Sequence, residues 1–346
     1  MSSVDLLKAG DFDGIRYLVD GALKAGQDKN LGHEYVKDIE ERYKEESRIT
    51  IPTPWPKIND LLQGGLGNGD FGLIFGSPGA GKSWSLVSVG GRAVRLGYNV
   101  IHYTLELGEA YVGKRYDAFF TKIDVRELHN NKEKVEEIIP QLPGKLVIKE
   151  FPTGRATMST IESHIKKVES LGIKADLIII DYVDLLSSGR KNRERKDDID
   201  DIYTSTKGLA KQLDIPVWSV SQVNRAGAND EIIEGDKAAG SYDKIMITDF
   251  CMSLSRKKED KVGGTGRLHI MKNRYGMDGH TFSVTANTAT GHFEVFPYNT
   301  DLSGDEESFA PKTRSNSYDD VDAHTKRKAA AAYDQVKQDI FSFEKK

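Results

Sequence analysis

The sequence predicts an α/β fold: a mostly parallel, twisted sheet with flanking helices and a late antiparallel hairpin. Three observations carry that prediction. From about residue 57 to 298, short apolar runs alternate with amphipathic helical patterns, and such alternation builds parallel sheets covered on both faces. A glycine-rich turn, Gly76 to Ser83 (GSPGAGKS), falls between an apolar run and a helical stretch. The last apolar runs follow one another with no helix between them, which is the pattern of antiparallel strands.

Taken in order, residues 1–50 are polar and helix-prone. Within them His33–Glu46 sets Tyr35, Val36, Ile39 and Tyr43 close to helical spacing, a narrow apolar stripe that needs something to lean on. IPTPWP (Ile51–Pro56) holds three prolines, which stop the helix and mark a boundary. Strands are expected at Phe71–Phe75, Val100–Thr104, Leu146–Lys149, Leu177–Asp181 and Val217–Ser221, then at Phe250–Leu254, Leu268–Lys272 and Thr281–Thr285. Helical patterns cover Ser83–Leu96, Met158–Leu171 and Ile199–Leu213. Residues 301–346 turn polar and lose apolar anchors, so they read as a disordered tail with a short helix around Ala323–Phe341. The expected organisation is a helical docking segment over 1–50, a core domain over 51–300 and a tail over 301–346.

Composition sets bounds. A chain of 346 residues with 38% hydrophobic and 29% charged residues suits a water-soluble protein with one large core. No apolar run approaches the ~20 residues that cross a bilayer, and MSSVDLLKAGDFDG lacks the order of a secretory signal. A cytoplasmic location is expected. Cys251 is the only cysteine, which excludes an intrachain disulfide and a cysteine metal cluster. The net charge of −4 argues against a uniformly basic nucleic-acid binder but leaves room for a local basic channel.

The chemistry begins at Gly76, Ser77, Pro78, Gly79, Ala80, Gly81, Lys82 and Ser83. FGLIF supplies the strand, GSPGAG the turn and KSWSLVSVGGRAV the helix. Glycines there let backbone N–H groups converge on phosphate oxygens, and the helix dipole adds to the attraction. Lys82 is the group to reach the β- and γ-phosphates, and the Ser83 hydroxyl the one to coordinate Mg²⁺. ATP and Mg²⁺ are thus the expected ligands. LIIIDY ends a buried strand in Asp181, placed to hold the metal; Asp184 reads as structural.

Other positions stay open on spacing alone. Glu106 in YTLELGE is placed to orient a water, but it also fits a solvated helix start, a part that Glu109 fills equally. Gln222, just past VWSVS, is a γ-phosphate sensor or an ordinary strand terminus. GRKNRERKDD (Gly189–Asp198) puts Arg190, Lys191, Arg193, Arg195 and Lys196 in one loop, and Arg225 opens a glycine-rich second stretch, 224–240. Both leave the edge where ligands of open α/β sheets gather, and both suit sequence-independent phosphate contact. Lys272 and Arg274 in MKNRYG share one face of a late strand. No arginine in cis is obvious, so one supplied by another subunit is the expectation.

In this order the motifs resemble the RecA-like motor domain of the DnaB family of hexameric replicative helicases, and its T-even-like phage branch most of all. The likeness runs from about His33 to Phe296. GSPGAGKS matches its Walker A motif, TLEL its catalytic-glutamate segment and LIIIDYVDLL its Walker B motif; SVSQVNR matches its glutamine sensor and MKNRYG its arginine-finger strand. LGHEYVKDIEERY, KEFPTG and TDF are shorter echoes. The resemblance implies Glu106 as base, Gln222 as sensor, and Lys272 and Arg274 acting in a neighbour's ATP site. It also implies loops 187–198 and 224–244 gripping single-stranded DNA, a docking linker helix at His33–Glu46, a hexameric ring and 5′-to-3′ movement. Arg115 in KRYD matches a family arginine without an assigned role.

Two departures bear on this. The family normally carries an N-terminal domain that engages primase, whereas this sequence starts near the linker, so primase and helicase-loader partners attach to the full-length family. GSYDKIMITDF (Gly240–Phe250) lacks the acidic–glutamine pattern of bacterial members. The alternatives are a RecA-like recombinase forming ATP-dependent filaments on DNA and an assembly factor that uses ATP as an oligomerisation switch. The Lys272/Arg274 pair favours the ring.

Overall fold

The computed structural model describes residues 11, 14–16, 18–19, 34–37, 39–40, 48–189, 195–223, 230–234 and 242–298. The tail expected over 301–346 lies outside them. So does most of the His33–Glu46 pattern, of which Tyr35, Val36 and Ile39 are exposed.

From residue 48 on, the chain begins with a small antiparallel pair, β1 (Thr50–Ile51) and β2 (Leu66–Gly67), around α1 (Pro56–Leu61). Alternation follows: β3 (Phe71–Gly76), α2 (Lys82–Arg95), β4 (Val100–Thr104), α3 (Glu109–Thr121), α4 (Lys132–Ile138), β5 (Leu146–Glu150), α5 (Met158–Ser170), β6 (Leu177–Asp181), α6 (Arg195–Leu213), β7 (Val217–Gln222), α7 (Tyr242–Ile247) and β8 (Phe250–Ser255). After α8 (Lys258–Gly263) come β9 (Thr265–Asn273), β10 (Thr281–Asn287) and β11 (His292–Pro297).

Nine strands form one sheet in the order β11-β10-β9-β8-β3-β7-β6-β4-β5. Neighbours from β8 to β5 run parallel, while β9, β10 and β11 extend the sheet antiparallel. Successive side chains of a strand face opposite ways, so the apolar strands feed two cores. Ile74, Ile179, Trp218 and Met252 pack with Leu86 and Val87 of α2 and Tyr116 and Phe119 of α3. Leu73, Ile101, Ile178 and Ile180 pack with Ile161 and Ile165 of α5 and Tyr203 and Leu209 of α6. Cys251 is buried in β8.

The antiparallel part exceeds the expected hairpin by β11, whose run HFEVFP is masked in sequence by its edge position and exposed Glu294 and Phe296. One correction concerns the first basic loop. Arg195, Lys196, Asp197 and Asp198 are the first residues of α6, because carboxylates in a first helical turn complement the helix dipole. Among the described residues no helix is long and apolar enough to cross a membrane.

Candidate active site

The glycine-rich turn joins β3 to α2. Gly79 and Gly81 adopt φ of 73° and 107°, a region that side chains avoid. A Cβ on Gly81 would also meet the Phe293 ring at 3.1 Å. No side chain caps the start of α2, so its first N–H groups face the turn as anion donors. Lys82 Nζ donates to the Gly76 carbonyl at 2.8 Å and the Ser77 carbonyl at 3.1 Å, curling over the turn. Burial pulls its ammonium down to about 8, against the attraction of Asp181 and Glu106.

Register places the other groups. β7 lies between β3 and β6; Gly76 pairs with Gln222, and Thr104 pairs with Asp181. The ends of β3, β4, β6 and β7 therefore converge at one edge. Asp181 is 2% exposed, and burial raises its carboxyl to about 6, opposed by a hydrogen bond from Ser83. Its Oδ1 is buried without a partner. An orphaned carboxylate oxygen beside a serine hydroxyl fits a hard divalent cation that takes its remaining oxygens from phosphate and water. Among the described residues no group of three His, Cys, Asp or Glu side chains could hold a metal by itself.

Glu106 and Glu109 part company here. Glu109 Oε1 accepts from Lys149 Nζ and from the Glu150 backbone N–H, both at 2.8 Å, so it is committed to β5. Glu106 is exposed just past β4, in a turn closed by the Thr104 hydroxyl donating to the Leu107 carbonyl at 2.7 Å. Its charge is felt by both Lys82 and Asp181. Gln222 ends β7 exposed at the same edge.

Lys272 and Arg274 sit elsewhere. β9 runs antiparallel to β8, with Phe250 opposite Asn273, and Phe250 is level with Gly72 while Leu254 is level with Gly76. Arg274 is thus about five residues, or roughly 16 Å, down the sheet from its own glycine-rich turn. Lys272 Nζ donates to the carbonyls of Ile245 and Met246 at 2.9 and 2.6 Å, tying it to α7.

Two cations at the site carry no sequence-assigned role. The Arg115 guanidinium lies 5.0 Å from the Trp84 ring and 5.1 Å from the Tyr111 ring, and its charge favours ionised Asp181. Lys261 of α8 donates to the Pro78 carbonyl at 3.2 Å. No motif flags Lys261, since it reaches the turn from a helix more than 170 residues later in the chain. Arg190, Lys191, Arg193 and Arg225 lie outside the described residues, and Arg195 opens α6.

Comparison with known proteins bears on this geometry. The family model described as "DnaB-like helicase C terminal domain" matches residues 50–294. A DnaB-like replicative helicase of Enterobacteria phage T4 is 24% identical over 288 residues, covering 78% of this chain and 60% of the relative. A replicative DNA helicase DnaB of Leifsonia xyli is 26% identical over 202 residues, covering 55% of this chain and 43% of the relative. The chain thus spans less than two thirds of the length of these relatives. A solved structure of a DnaB-like replicative helicase and its interactions with primase superposes with a TM-score of 0.64 at 18% identity, over 86% of this chain and 75% of that one. A solved ATPase domain gives 0.62 at 21% identity, over 76% of this chain and 97% of its own. Both share the fold.

Proposed function

This chain belongs to the DnaB-like helicase C-terminal domain family, and from that premise we propose that it is an ATP-driven DNA motor. It hydrolyses ATP at interfaces between copies of itself, moves along single-stranded DNA in the 5′-to-3′ direction and unwinds duplex at a replication fork. The assembly is a homo-oligomeric ring, most simply a hexamer, acting in the cytoplasm of a host cell.

The observation that carries this reading is the separation of Arg274 from its own Lys82 across the sheet. A half-exposed arginine remote from its own phosphate turn serves a neighbour's. The remaining roles follow from position. The turn from Gly76 to Gly81 and the start of α2 bind phosphates; Lys82 holds the β- and γ-phosphates; Ser83 and Asp181 hold Mg²⁺. When bound, the cation offsets charge that builds on the phosphate oxygens during transfer. Glu106 orients the attacking water and takes its proton. Gln222 reports the γ-phosphate through its amide, while Lys272 and Arg274 stabilise the transferring phosphoryl group from the next subunit. Arg190, Lys191, Arg193, Arg195 and Arg225 contact the DNA backbone.

The test pairs a rate with an image. Single-stranded DNA should stimulate ATP turnover, and particles with DNA and a non-hydrolysable ATP analogue should be closed rings or lock-washers. A continuous filament would instead favour the recombinase.

A further inference from the structure

A buried charged network lies behind the edge that carries Asp181 and Gln222, and it involves none of the nucleotide-binding groups. Lys244 Nζ of α7 pairs with Asp184 Oδ1 and donates to Ser221 Oγ at 2.9 Å. Tyr203 of α6 donates its hydroxyl to Asp184 Oδ2 at 2.9 Å, and its ring centroid lies 5.1 Å from the Lys244 ammonium. Tyr203 is wholly buried, and the Lys244 and Asp184 side chains are 8% and 10% exposed.

Four elements meet there, and each has a functional neighbour. Asp184 follows Asp181 by three residues, and Ser221 immediately precedes Gln222. Tyr203 sits on the helix that continues from segment 187–198, and Lys244 ends segment 224–244. Lys244 is too buried to touch DNA itself. Orphaning either charge of a buried pair is costly, so the pair moves as a unit or breaks outright. If the β7 end shifts with the nucleotide state and the pair stays intact, α7 moves with it.

Resting on the function proposed above, we propose that Lys244, through Asp184 and Ser221, couples the nucleotide state sensed at Gln222 to the DNA-contacting segments. It is a positioning residue: it acts through α6 and α7 and touches neither ATP nor DNA. Coupling of this kind is a difference in DNA affinity between nucleotide states, which a mere structural brace would not supply.

The experiment measures binding of a labelled oligothymidylate to the full chain by fluorescence anisotropy, once with a non-hydrolysable ATP analogue and once with ADP. The doubly neutral variant Lys244→Met with Asp184→Asn leaves no orphan charge. It should fold and bind nucleotide normally, yet the ratio of DNA affinities in the two nucleotide states should fall by at least about fivefold. Tyr203→Phe, a milder change that removes only one hydroxyl, should lower the same ratio by a smaller factor. Variants that keep the full wild-type ratio overturn the coupling role while leaving the motor reading intact. A wild-type protein whose DNA affinity ignores nucleotide overturns both.

Discussion

Arg274 Nη1 lies 3.2 Å from Asp249 Oδ1, at the end of the sheet opposite Lys82. Asp249 is buried and also accepts from the Phe71 backbone N–H at 2.8 Å and from Lys207 Nζ at 2.5 Å. Arg274 is 48% exposed, so one carboxylate braces the guanidinium from behind while its outer face stays open. In Arg274→Ala, ATP turnover should fall by about a thousandfold or more, the scale of a lost arginine finger. Affinity for a non-hydrolysable ATP analogue should stay within a few-fold, because the phosphate turn of the same chain is untouched. Near-normal turnover in that variant would remove Arg274 from the reaction.

Sharing of sites predicts rescue. Lys82→Ala should lose nucleotide affinity within each subunit, since Lys82 curls over the turn proposed to receive the phosphates. Neither it nor Arg274→Ala should turn over alone. In an equal mixture, roughly a quarter of the head-to-tail interfaces join an intact turn to an intact arginine, and turnover should recover in proportion. If titrating one inactive protein into the other never restores hydrolysis, the sites are not shared.

How much of this was written in the sequence depends on the range of the interactions involved. The central parallel strands were legible because both faces of each are buried, so Leu177–Ile180 reads as an unbroken apolar run. GSPGAGKS was legible because strand, turn and helix are contiguous. β11 was not, since an edge strand with exposed Glu294 and Phe296 shows little periodicity. Spacing left Glu106 and Glu109 equivalent; only pairing of β4 with β5 reveals that Lys149 and Glu150 claim Glu109. Lys261 was invisible, because nothing local marks a helix that folds back onto a turn formed much earlier in the chain.

Lys261 offers a salt-dependent test. Its ammonium lies against the Pro78 carbonyl, and a Cβ on Gly79 would come within 3.3 Å of it. Its charge also bears on Lys82, so it adds to the positive potential that a triphosphate meets. Lys261→Ala should weaken ATP binding by about two- to fivefold at low salt, with the difference shrinking as ionic strength screens an exposed charge. Nucleotide titrations at two salt concentrations read this directly; a loss that persists undiminished at high salt would mean packing rather than charge.

Acid stability should trace partly to His102. It is buried in β4 with its Nδ1 2.8 Å from the Tyr116 hydroxyl, and burial, with the nearby Arg115 charge, pulls its pKa from 6.5 down to about 3. The unfolded chain therefore binds a proton that the folded chain refuses throughout that interval. Stability from this residue is complete above pH 6.5 and is lost as the pH falls toward 3. The loss is about 1.4 kcal/mol for each pH unit within the window. His102→Gln keeps a hydrogen-bonding side chain but cannot titrate. Its unfolding free energy in urea should fall less steeply than that of the wild type between pH 6 and pH 4, whatever its value at neutral pH. Equal slopes in the two proteins would mean that His102 takes up its proton in the folded chain as readily as in the unfolded one.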